Sequence, residues 1–86
     1  MRKIISQNDK HGNATFYLID TDKATLIYEE KDDKTYCQLY KTTKKHYFKV
    51  FKNGEVTLLT DTQAKEYLAG KDPDEFISAF GNVADW

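Results

Sequence analysis

One cysteine, one proline, two histidines and four glycines are all this 86-residue chain has of the residues that staple, break or metallate a fold. With Cys37 alone, no disulfide can form within the chain. Cys37, His11 and His46 are too few and too scattered for a zinc site, which needs about four ligands at patterned spacing. No glycine-rich phosphate loop is present. The Asp/Lys stretches "DTDK" and "KDDK" lack the alternating ligands, central glycine and terminal glutamate of a calcium loop, and read as turns. Asp32-Asp33 falls in such an exposed turn, not in the kind of pocket that sets paired carboxylates to acid–base work. Cys37 has the surroundings of a small core residue rather than those of a nucleophile with a nearby base. The sequence thus implies no enzyme, cofactor or metal. Apolar runs are short as well. Ile4-Ile5 is too brief for the roughly 7–15 apolar residues of a secretory signal, and nothing approaches the roughly 18 of a membrane span. A reduced, cytoplasmic protein of one domain, 1–86, is expected, with no membrane partner.

Acid is missing from one stretch. Residues 34–54 hold six lysines and no Asp or Glu, while 55–86 hold two bases and seven acids, under a total net charge of −1. The near-zero total argues against a general polyanion binder. The segregation reads either as charge that is paired or solvated locally, or as a bipolar surface that orients a partner.

What is present is a β-rich pattern followed by helices. After a short first strand, "SQNDKHGN" (6–13) reads as a loop or flexible arm. "TFYLI", "ATLIYEE", "TYCQLYKT", "HYFKVFK" and "EVTLL" are rich in β-branched and aromatic residues. The connections between them are short, so neighbours should pair antiparallel, with Asn53-Gly54 as a two-residue type I′ turn. Thr60 and Gln63 form a capping box for a first helix with Ala64, Tyr67 and Leu68 inward, ended by a left-handed Gly70. Asp72 and Pro73 start a second, with Phe76, Ile77 and Phe80 as its apolar stripe and Gly81 at its end. The fold class is α+β: an antiparallel meander sheet of four to six strands with two short C-terminal helices on one face.

Two-residue turns at Thr43-Lys44, Asp32-Asp33 and Asn53-Gly54 set a register in which Leu39 faces Phe48 and Cys37 faces Val50. Leu26, Tyr28 and Leu59 then complete the helix-covered face. The opposite face collects Ile27, Tyr36, Gln38, Tyr40, Tyr47, Lys49, Phe51, Val56 and Leu58. Tyr36, Tyr40, Lys44, Lys45, Tyr47, Lys49 and Phe51 form the candidate interaction surface. Such a face is open for association, covered by Ile4 and Ile5, or covered by a second subunit.

"DTDKATLI", "LYKTTKKHYF", "LTDTQAKEYL" and "DPDEFISAFGNV", in that order from Asp20 to Val83, resemble a group of small uncharacterised proteins of low-GC Gram-positive bacteria and their phages and plasmids. Many of that group carry a glycine-rich insertion where this chain has "KVFKNGEV", and an apolar residue where Lys49 stands. The resemblance implies a mobile-element origin and carries over no site residues. Three readings follow. The first is a non-catalytic protein-binding module, such as an inhibitor of a host or CRISPR defence protein. The second is a single-stranded nucleic-acid binder that stacks bases on the aromatic face. The third is a structural homodimer.

Overall fold

The computed structural model describes residues 1–32, 34–81 and 83–85. Six antiparallel strands are followed by two helices. β1 (Arg2–Asn8) and β2 (Ala14–Asp20) form a two-stranded sheet of their own. β3 (Thr25–Glu30), β4 (Cys37–Lys41), β5 (Tyr47–Phe51) and β6 (Val56–Leu59) form a four-stranded meander. α1 (Asp61–Ala69) and α2 (Pro73–Phe80) pack on one face of that meander. The α+β expectation therefore holds, with the strands divided between two sheets. The expected loop over 6–13 is corrected: Ser6–Asn8 continue β1, paired to Ala14–Phe16, and only 9–13 turn. Asp9 closes that turn by accepting from the backbone N–H groups of His11 and Asn13. The radius of gyration, 13.9 Å, exceeds the roughly 12 Å of a compact chain this long, in keeping with a molecule 43 × 30 × 23 Å across.

Helix starts follow local chemistry. Thr60 and Gln63 make the reciprocal capping box, and the Asp72 carboxylate accepts from the N–H groups of Asp74 and Glu75 beneath Pro73. Gly70 is not left-handed: its φ is −80°, because the chain turns directly into the α2 cap instead of reversing. Gly81 does take a positive φ of 68°. Ala64 and Leu68 are buried as expected, whereas Ile77 is exposed and Ala79 takes its place beside Phe76 and Phe80.

The register differs from the expected one at two strands, β5 and β3. Leu39 pairs with Lys49, Tyr40 with Phe48 and Cys37 with Phe51. Both turns flanking β5 are one residue longer than a two-residue hairpin. Lys45 adopts φ 63° between Thr42 and His46, and Gly54 adopts φ 87° between Phe51 and Glu55. A left-handed third loop residue is the mark of the three-residue hairpin. Each added residue moves β5 by one, which turns all its side chains over, while β4 and β6 keep their faces. Tyr47, Lys49 and Phe51 therefore lie on the helix side, and Phe48 and Val50 on the other. A second correction is at β3, where the pairing shifts between Leu26 and Tyr28. This bulge sends Ile27 toward the helix-side core and leaves Leu26 exposed. The strands rejoin at Glu30–Cys37; of the expected Asp32-Asp33 turn, residue 33 lies outside the described residues.

The helix-side core is Leu39, Tyr47, Ala64 and Leu68, ringed by Ile27, Tyr28, Leu59, Tyr67, Phe76, Ala79 and Phe80. The opposite face is not an open platform. Phe48, on that face, is only 1% exposed. Ile19, on the inner face of the N-terminal hairpin, is also buried, and Tyr17 and Ile19 share a cavity wall with Phe48 and Leu58. The Lys3 ammonium donates to the Gly54 carbonyl at 3.4 Å. The hairpin thus lies against the second face, making three layers: hairpin, sheet, helices.

Candidate functional site

The seven residues of the expected interaction surface are not brought together. Tyr40 lies on the hairpin side, stacked on Phe48 with ring centroids 5.1 Å apart. Tyr36 donates its phenol to Glu29 at 2.8 Å, Gln38 donates to the same carboxylate at 2.8 Å, and the Tyr40 phenol donates to Gln38. The two hydrogen bonds at Glu29 hold its carboxyl below the ordinary range. Tyr47 is 5% exposed, against Phe80 on the helix side, and burial pushes its phenol upward. Lys44 and Lys45 sit in the β4–β5 turn, exposed. Lys49 and Phe51 share one groove with Tyr36.

That groove, about 600 Å³, was not foreseen as a site. It opens between the end of β3, the start of β4, the β5–β6 turn and α1. At its base the Tyr67 phenol donates to Glu30 at 2.9 Å and meets the Cys37 sulfur at 3.2 Å. Glu30 also accepts from the Lys71 ammonium at 3.0 Å and from Thr35 at 3.1 Å. The Lys71 and Tyr67 hydrogen bonds lower the Glu30 carboxyl, and the Glu30 carboxylate raises Lys71. Burial, aided by Cys37 and Glu30, raises the Tyr67 phenol far above its ordinary value. Lys49 rests its ammonium on the Tyr67 ring, 3.6 Å from the centroid, a cation–π contact. Cys37 is buried as expected, yet its thiol faces phenol and carboxylate rather than hydrocarbon. The signal in the sequence was Glu30, Cys37, Tyr67 and Lys71 read jointly, but only the β3–β4 register and the α1 packing bring them together.

The second unforeseen feature is on the N-terminal hairpin. Residues of even number in β1 and β2 share its outer face, with Ile4 paired to Leu18, Ser6 to Phe16, and Arg2 to Asp20. Ile4 is 60% exposed, Phe16 69% and Leu18 49%. Arg2 and Asp20 form an ion pair at one end. A groove of about 430 Å³ continues from Phe16 and Leu18 to Lys23, Lys44 and His46. The unbroken apolar run Phe16-Tyr17-Leu18-Ile19 gives β2 two apolar sides, and nothing local tells which side is covered.

Among the described residues no helix is long and apolar enough to cross a membrane, and no group of three or more His, Cys, Asp or Glu could hold a metal ion. No family model, curated protein or solved structure matches this chain.

Proposed function

We propose that this protein is a non-catalytic protein-binding module that docks through the outer face of its N-terminal hairpin. The observation that carries the reading is the row Ile4, Leu18 and Phe16, three large apolar side chains 49–69% exposed on one face. A contiguous apolar patch with a polar rim marks an interaction surface more often than it marks an accident of folding. Here the rim is Arg2 and Asp20 at one end and Lys23, Lys44 and His46 along the adjoining groove. The hairpin also has unpaired strand edges, which can accept a partner strand through main-chain hydrogen bonds. The resemblance to small mobile-element proteins gives such a module a natural employment, as an inhibitor of a host or CRISPR defence protein in the cytoplasm.

The nucleic-acid reading stacks bases on Tyr36, Tyr40, Tyr47 or Phe51 of one aromatic face, and it has less support because Tyr40 lies on the hairpin side while Tyr47 and Phe51 lie on the helix side. Fluorescence anisotropy with single-stranded oligonucleotides at two salt concentrations tests it: weak binding at both is expected. Micromolar affinity that falls steeply with salt, as counterion release requires, would overturn the protein-binding reading. Sedimentation equilibrium tests the homodimer. A monomer is expected, and a dimer abolished by Phe16→Ser would assign the hairpin face to a second copy instead.

A further inference from the structure

We propose that the groove over Tyr67 is a binding site for a small multivalent oxyanion, distinct from the hairpin surface. The first argument is charge. Lys34, Lys49, Lys52 and Lys71 line it against two acids, Glu30 and Glu55. Glu30 is already engaged: its Oε1 accepts from Lys71 and Thr35, and its Oε2 from Tyr67. Its negative charge is spent on the wall of the groove. Among the described residues, the ion pairs are Arg2–Asp20, Lys31–Glu29, Lys65–Asp61 and Lys71–Glu30, and none engages Lys49 or Lys52. The acid-free stretch 34–54 thus brings three of its six lysines, Lys34, Lys49 and Lys52, to this groove, where they outnumber the one acid not engaged with Lys71, Glu55.

The second argument is placement. Lys49 is held at a fixed point, half-buried, by the face of the Tyr67 ring 3.6 Å away. Tyr67 is itself fixed at its phenol by Glu30 and Cys37. An ammonium positioned in this way binds with less ordering cost than a lysine loose in solvent. Thr35 and Asn53 supply neutral polar groups on the same lining. The volume, about 600 Å³, falls within the roughly 300–1,000 Å³ of small-molecule sites. A cationic cleft with low-dielectric walls concentrates anions, and two or more charges on the ligand let it bridge Lys49 and Lys52 at once. A phosphate compound and a polycarboxylate share this chemistry.

The test is a ¹H–¹⁵N NMR titration of the whole chain with inorganic pyrophosphate, with citrate, and with sodium chloride at matched ionic strength. Saturable shifts at Thr35, Cys37, Asn53 and Tyr67 are expected, with chloride giving none that saturate. Saturation by pyrophosphate alone identifies a phosphate ligand, by citrate alone a carboxylate ligand, and by both a site that reads valence; each supports the proposal. Lys49→Gln should weaken binding about tenfold and the exposed Lys52→Gln about threefold. The second variant leaves the Tyr67 contact intact, so a folding defect in the first does not obscure the outcome. Shifts that follow ionic strength alone, saturation mapped to the Lys23–Lys44 groove, or undiminished binding by both variants would overturn it.

Discussion

Tyr47→Ala tests the strand register that decides which residues face which layer. With three-residue turns on both sides of β5, Tyr47 points into the helix-side core beside Leu39, Ala64 and Leu68, 5.5 Å from Phe80 between ring centroids. With two-residue turns the same ring would lie on the opposite face. Truncating a buried aromatic to alanine costs about 3–5 kcal/mol, from lost transfer energy and the cavity left behind. Loss of the ring pair with Phe80 accounts for about 0.5–1.5 kcal/mol of such an effect. A domain of this size holds about 5–15 kcal/mol in all, so the variant should lose much of its stability. At about 4–8 °C per kcal/mol, its midpoint should fall by at least roughly 12 °C. Urea denaturation followed by circular dichroism measures the free-energy loss, and a thermal scan the shift in midpoint. Tyr47→Phe keeps the ring and should cost less than about 1.5 kcal/mol, which covers the case where the alanine variant fails to fold. A loss below about 1 kcal/mol for Tyr47→Ala would refute the register and the division of the aromatic residues that depends on it.

Lys45→Gly should be neutral or stabilising by up to about 1 kcal/mol in the same assay, because Lys45 holds a positive φ that costs an L-residue about 1–2 kcal/mol and glycine almost nothing, offset by glycine's greater unfolded freedom. A clear destabilisation would remove the three-residue turn. Glu30 carries a carboxyl lowered from 4.5 by Lys71 and Tyr67. Its stabilisation is complete above its unfolded value near 4.5 and is lost as pH falls through the lower folded value. Glu30→Gln should therefore lower stability at pH 7 and flatten the acid limb of a urea-midpoint series, and parallel limbs would contradict the Glu30–Lys71–Tyr67 cluster. The Tyr67 phenol is raised above its ordinary 10.0, so it stabilises the fold below that pH and this is lost only at stronger alkalinity. Ultraviolet titration should show a tyrosine that ionises late, and Tyr67→Phe should remove that component.

Capping boxes, proline placement and strand alternation are local, and they made the helices and most strands legible. Thr60, Gln63, Asp72 and Pro73 behave as their types require. Register is not local. "TTKK" and "KNG" each admit a two- or a three-residue loop; Gly54 takes the left-handed φ readily, and at the first turn the choice rests on whether Lys45 will accept it so that Tyr47 rather than Phe48 meets Phe80. That tertiary gain was invisible in the turn itself, and an error of one residue at each turn inverted β5 while sparing its neighbours. The residues of the candidate surface are divided between two faces for the same reason, although Tyr36, Lys49 and Phe51 still line a common groove. The separate N-terminal hairpin was hidden by the short β2–β3 connection, which suggested pairing; instead the backbone N–H of Thr21 bonds to the Met1 carbonyl, within the hairpin.

The central claim is that the outer hairpin face captures a protein. Its most direct test is quantitative co-purification from extracts of the cells that carry the gene, comparing the wild-type chain with Phe16→Ser/Leu18→Ser and with Ile77→Ser, a control at an exposed apolar residue on α2. The account predicts a protein retained by the wild type and by Ile77→Ser, and lost from the double variant while that variant keeps its unfolding free energy within about 1 kcal/mol of wild type, since both replaced side chains are half-exposed or more open. Undiminished retention by the folded double variant would contradict it.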